Sequence, residues 1–160
     1  MSENVLKNAS IESTHLGVAH TDHGILSFYI FLKYDGSGQG FGGWVLDNVN
    51  PTDKYADRVP TTLGSSLLLA INKVFALDWE KLPNTPCRAY GNWGKVFAIG
   101  HYLKDEWLWL DTEKMAFVVT PFDRMRAAAD PQDSTELGRS AVSLDIEDMR
   151  RGLGAKERKP

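Results

Sequence analysis

One cysteine, Cys87, has no second thiol in the chain to meet, so an internal disulfide is excluded, and so is a zinc site of the multi-cysteine kind. That cysteine usage fits a reducing compartment. Long apolar runs are also missing. The longest, "SLLLAINKVFAL", is broken by Asn72 and Lys73 and falls far short of a bilayer span. The opening "MSENVLKNASIEST" has no apolar stretch of the signal-peptide kind. Nor is there an excess of positive charge. The 18 Lys and Arg against 21 Asp and Glu leave a net charge of −3, which gives no electrostatic reason to expect double-stranded nucleic acid or a membrane as partner. No internal repeat is visible.

What is present suits one domain, since 160 residues at 42% hydrophobic are enough to bury a core. "ASIESTHLGVAH" alternates and predicts a strand. "HTDHG" is a turn signal, and "ILSFYIFLKY" predicts the strongest strand of the chain. Its nearly continuous hydrophobicity implies burial on both faces, or one buried face and one subunit contact. After "DGSGQG" a third strand, "FGGWVLD", completes an antiparallel meander. A polar loop over 48–60 then leads to the clearest helix. Leu63, Leu67, Ala70, Ile71, Val74 and Phe75 recur there at three- and four-residue steps, with Thr61 or Thr62 as N-cap.

"CRAYGNWGKVFAIGHYL" predicts a hairpin turning at Gly91 to Gly94, while "KDEWLWLDTEKMAFV" fits a strand or a short helix. Beyond residue 120 the chain becomes polar. We therefore expect a single domain over 1–120 and a partly disordered C-terminal extension over 121–160, with one amphipathic turn around "AVSLDIEDM". Strands that cluster instead of alternating with helices indicate an α+β fold: an antiparallel sheet with one main amphipathic helix packed on it, plus a weaker C-terminal element.

Gly38-x-Gly40-x-x-Gly43 matches the dinucleotide fingerprint letter for letter. A pyrophosphate site needs a helix to open after those glycines, and "WVLDNVNP" opens none. Strand alternation explains the stretch better. Gly36, Gly38, Gly40 and Gly42 point one way and leave a face that a ring, a ligand or a second backbone can approach, and Phe41 points the other way; a hairpin turn with a bulge is the alternative.

His15, His20 and His23 lie close together beside Asp22, but without helical metal-ligand spacing. Ser65 and Ser66 lie in a helix without a nucleophile elbow. Arg88 beside Cys87 is a pKa-lowering neighbour, yet strand alternation half-buries the thiol, where cysteine is inert. Asp105 and Glu106 near His101 read as a solvated charged face. No cofactor is called for, and no catalytic set emerges.

A distributed binding set remains. Phe41, Trp44, Tyr90, Trp93, Trp107 and Trp109 offer stacking faces, with Trp44 and Trp107 better explained as core. Arg58, Arg88, Lys95 and Lys104 offer cations, and the mixture suits a phosphorylated ligand carrying an aromatic base.

"IESTHLGVAHTDHGILSFYIFLKYDGSGQGFGGWVLD", "DRVPTTLGSSLLLAINKVFALDWEKLP" and "GKVFAIGHYLKDEWL" follow one another in a distinctive order from about Ala9 to Trp109. This combination resembles the phage anti-Thoeris sponge family. The resemblance implies a non-catalytic homo-oligomer with pockets at subunit interfaces, acting in the cytoplasm of the infected bacterium. Its ligands would be cyclic ADP-ribose isomers, and in some members cyclic oligonucleotides at a separate site. Carried over by motif, it points to Arg58 as a phosphate contact, Asn92 as a polar reader and Phe41 as a stacking ring. Arg88, Trp93 and Lys104 complete the expected ligand-binding set. Pro60 interrupts the Arg-x-Gly-Thr run of the family. "LWLDTEKMAFVV" stands where relatives carry a Pro-containing short helix, and the chain beyond Thr120 has no counterpart there. The other reading of this sequence is a phage protein-binding inhibitor or structural protein with no small-molecule ligand.

Overall fold

A computed structural model describes residues 3–19, 24–53 and 55–131. The fold is α+β, as the clustering of strands implies. Its centre is a seven-stranded antiparallel sheet in the order β3-β2-β1-β6-β7-β8-β9. The strands are β1 (Val5–Ala19), β2 (Ile25–Lys33), β3 (Gly38–Val45), β6 (Pro86–Gly91), β7 (Val96–His101), β8 (Trp107–Asp111) and β9 (Ala116–Thr120). A short ribbon of β4 (Asp47–Asn48) and β5 (Val59–Pro60) precedes helix α1 (Thr62–Phe75). The chain closes its described part with helix α2 (Phe122–Ala129).

β1 joins two groups of strands because it is long. Its outer part, from Ser10 on, pairs with β2, and its first residues, Val5 to Ser10, pair with β6. A bulge between Ile11 and Ser13 bends it at the changeover. In β2 the side chains alternate strictly. Phe28, Ile30 and Leu32 are buried, while Tyr29 and Phe31 remain 40% and 42% exposed. Within one chain, then, β2 is not buried on both faces.

α1 is the predicted helix with the predicted buried face: Leu63, Leu67, Ala70, Ile71, Val74 and Phe75. The Thr61 hydroxyl accepts the Leu63 N–H at 3.3 Å as N-cap and donates to the Leu46 carbonyl at 2.7 Å, which ties the helix start to the end of β3. Ala76 ends the helix in the left-handed region, φ 54°. The helix covers the inner face of the sheet near β9. Its Ser66 Oγ accepts the outward Phe117 N–H of that edge strand at 3.0 Å. Deep burial of Leu67 and Ile71 contributes about 1.5–3 kcal/mol each. Phe28 is the hub of the aromatic core, within 6.2 Å of Phe41, Trp44, Trp79 and Phe117.

The segment fitting either strand or short helix is a β8–β9 hairpin. Every residue of β8 is buried, so its pattern carries no strand alternation. On the outer face Arg88, Gly100 and Trp107 stand side by side in successive strands. The bare Gly100 lets the Arg88 guanidinium lie 4.9 Å from the centre of the buried Trp107 ring. Phe122 tilts onto the same ring at 5.3 Å and meets Tyr90 edge-on, also at 5.3 Å.

The compact unit holding the sheet runs to Met125 and a second begins at Arg126. The start of α2 therefore belongs to the sheet's packing, although it falls within the stretch expected to be a polar extension from residue 121. Residues 132–160, with the "AVSLDIEDM" turn, lie outside the described residues, as do His20, Asp22 and His23.

A Cβ at position 100 would come within 2.9 Å of three atoms of the Trp107 ring, which cannot withdraw. Gly100→Ala is expected to cost about 1–3 kcal/mol, the range for overpacking, read as a lower denaturant midpoint at unchanged slope.

Candidate functional site

The six residues expected to contact a ligand do not converge on one place. Phe41, expected as a stacking ring, is instead fully buried and meets Phe28 and Trp44 edge-on, so it is a core ring and not a stacking platform. The cause is the alternation of β3 itself. The glycines face outward, and the opposite face is the core. Gly40 lies under Tyr29 and Phe31, whose rings stack at 5.7 Å and 20°. Gly42 and Gly43, at φ 141° and 86°, form a bulge against β2 that no other residue type adopts without strain. The fingerprint glycines thus lie within a strand, and the rings that use the cleared face are the chain's own.

Arg58 is engaged by Asp47 in a two-pronged ion pair, Nε to Oδ2 at 2.8 Å and Nη2 to Oδ1 at 3.0 Å, which closes the β4–β5 ribbon. The guanidinium holds the Asp47 carboxyl below its usual range, and the carboxylate in turn raises Arg58. Arg88 donates to the carbonyls of His101 and Lys104 at 2.8 and 2.6 Å. With His101 Nδ1, which accepts from the Leu103 and Lys104 N–H groups at 3.0 Å each, it fixes the turn between β7 and β8. Lys104 contributes its backbone to that turn and leaves its side chain exposed. Asp105 is no idle surface charge: its Oδ1 accepts the Phe122 N–H at 2.9 Å, at the start of α2.

Asn92 and Trp93 do belong to a cluster, at a seam where the sheet curls and β3 approaches the β6–β7 turn. The Asn92 side chain accepts from the Gly94 and Lys95 N–H groups at 2.9 and 3.1 Å, shaping the turn. Gln39 spans the seam. Its Nε2 donates to the Asn92 and Trp93 carbonyls at 2.9 and 3.1 Å, and its Oε1 accepts from the Tyr34 hydroxyl at 3.0 Å. The Lys7 ammonium sits between two rings, 5.0 Å from the centre of Tyr34 and 5.1 Å from that of Trp93. Lys95 lies 5.3 Å over Trp44 on the same seam. Trp93 is 82% exposed, so its remaining surface is free for a further ring.

Lys7, Tyr34 and Gln39 were not among the candidates. Gln39 lies inside the glycine-rich stretch, but the two carbonyls it reaches across the seam are 53 and 54 positions away. Among the described residues no cluster of three or more His, Cys, Asp or Glu is arranged to hold a metal. Cys87 and Tyr34 are both pushed up to about 12 by burial, and their mutual proximity adds to the rise at Tyr34. Neither offers an anionic nucleophile near neutral pH.

Comparison with known proteins finds no matching family model, no matching curated protein and no matching solved structure.

Two outcomes follow from these contacts. The depressed Asp47 pKa means the pair stabilises the fold fully above the unfolded carboxyl value of about 3.9, and that contribution is lost as pH falls through the lower folded value. Asp47→Asn should remove this part of the acid-limb slope in urea melts taken from pH 6 to 2. Gln39→Ala removes three hydrogen bonds, two of them across the seam, and should cost about 1–3 kcal/mol. Its companion signature is altered Trp93 emission, since the turn loses its tether.

Proposed function

We propose that the protein is a non-catalytic binder that captures a cyclic nucleotide-type signal of the cyclic ADP-ribose class, or a cyclic oligonucleotide. It would thereby blunt an anti-phage defence in the cytoplasm of the infected bacterium. The observation that carries the reading is the seam cluster. An exposed tryptophan, a lysine held against its face and an amide-fixed turn together offer a stacking surface beside positive charge. That pairing suits a base linked to phosphate. The order of the sponge-family motifs supports the same reading. Two of those motifs meet in the fold, where the "VLD" strand end and the "DRVP" segment are joined by Asp47 and Arg58.

A binder that does not turn over succeeds by affinity and abundance, and interfacial pockets raise affinity by desolvating the ligand between subunits. The proposal accordingly includes a homo-oligomer in which a second copy covers the exposed Tyr29 and Phe31. Among the described residues no helix is long and apolar enough to cross a membrane. The same exposed ring pair favours a second reading, a protein-binding inhibitor or structural phage protein without a small-molecule ligand.

Incubated with the protein, cyclic ADP-ribose isomers or cyclic trinucleotides should leave solution and return chemically unchanged after heat denaturation. Trp93→Ala should weaken retention by about tenfold or more, the loss of one stacked base. Recovery of a hydrolysed product would overturn the non-catalytic reading. Absence of heat in calorimetry with both ligand classes would favour the protein-binding one.

A further inference from the structure

The groove beside the open edge of the sheet differs electrostatically from two others on the described surface. The one at Arg58 is also lined by Asp47 and Asp57, and the one at Tyr34 pairs Lys33 with Asp35. The groove between α1 and β9 is lined by Lys73, Lys114 and Arg124 and by no carboxylate. Its volume is 420 Å³, within the roughly 300–1,000 Å³ of small-molecule sites. The three cations come from the last turn of α1, the β8–β9 turn and α2. Among the described residues none of the three forms an ion pair.

The backbone adds a donor. Phe117 sends its N–H away from β8, to Ser66 Oγ at 3.0 Å. Alternation along an antiparallel strand then turns the N–H of Val119, two residues on, toward the same open edge. Val119 lines the groove, so an outward backbone donor stands among three unpaired cations. The Ser66 and Thr120 hydroxyls donate internally, to the Leu63 and Pro121 carbonyls at 2.8 and 3.1 Å. Charge recognition therefore falls to the cations and the edge.

We propose that this groove is a binding site for a small polyphosphate, a pyrophosphate group or its ester, with Lys73, Lys114 and Arg124 dividing its charge and the Val119 N–H fixing one oxygen. Arg124 supplies the planar fork for two oxygens, and the lysines act as point charges. The groove shares no lining residue with the Lys7, Tyr34, Gln39 and Trp93 cluster and does not depend on the function proposed above.

The test is calorimetric titration of the full chain with inorganic pyrophosphate, followed by nitrogen-15 amide spectra. Saturable binding is expected, with the Val119 amide among the largest shifts. Combined Lys73→Gln and Arg124→Gln should weaken it by about tenfold or more, as two charge-assisted contacts are lost. Lys81→Gln, an exposed lysine in the 3-10 turn Trp79–Lys81, should leave it unchanged. Absence of binding, an unmoved Val119 amide, or an equal loss in the Lys81 variant would each overturn the site. If the double variant still retains a cyclic nucleotide signal, the seam reading stands without the groove. If pyrophosphate binds while cyclic signals do not, the groove stands and the seam reading falls.

Discussion

One carboxamide sets the geometry on which the candidate surface depends. Gln39 sits on an edge strand and hydrogen-bonds three groups: the Tyr34 hydroxyl and two carbonyls of the β6–β7 turn. The two bonds to the carbonyls hold β3 against a turn whose strands, β6 and β7, stand three and four places from it in the sheet. Without them β3 would be an ordinary edge, untied to the turn that carries Trp93. Their energy is modest, about 1 kcal/mol each.

The glycine motif and the arginines show how similar letters serve different ends. Bare Cα atoms in β3 admit the rings of Tyr29 and Phe31, so the cleared face is occupied from within the chain. Arg58 and Arg88 have the composition of phosphate contacts but the partners of structural clamps, one on a carboxylate and one on two carbonyls. Each clamp fixes a connection between elements, and the guanidinium fork suits that task because it satisfies two acceptors at once.

Local signals were legible and distant ones were not. The α1 face could be read to the residue, since six apolar positions at helical spacing admit no other arrangement. Trp107 was expected in the core because a large ring is usually buried, and Cys87 only half-buried by strand alternation; both are fully buried. β8 hid its nature because both of its faces are covered, which erases the period that marks a strand. Phe41 was assigned to the correct side of its strand relative to the glycines. Which side faces the core depends on the pairing of β3 with β2 and on the rings of Trp44 and Phe117. The seam joins residues 53 positions apart, a distance at which no periodicity speaks. Nor does composition distinguish an arginine already bonded from one still free.

The bond from Ser66 to Phe117 bears on how copies of this chain can associate. A sheet with free edges grows by adding strands, and that growth has no natural end. Here one edge is bulged at Gly42 and Gly43 and bonded to the β6–β7 turn. The other has a helix hydroxyl on its backbone and like charges around the donor that remains. An approaching strand would have to break the first arrangement or enter the positive field of the second. Association is thereby diverted from backbone to side chains and from edges to faces. Contacts of that kind would close into assemblies of definite size where the same patch meets itself across a two-fold axis.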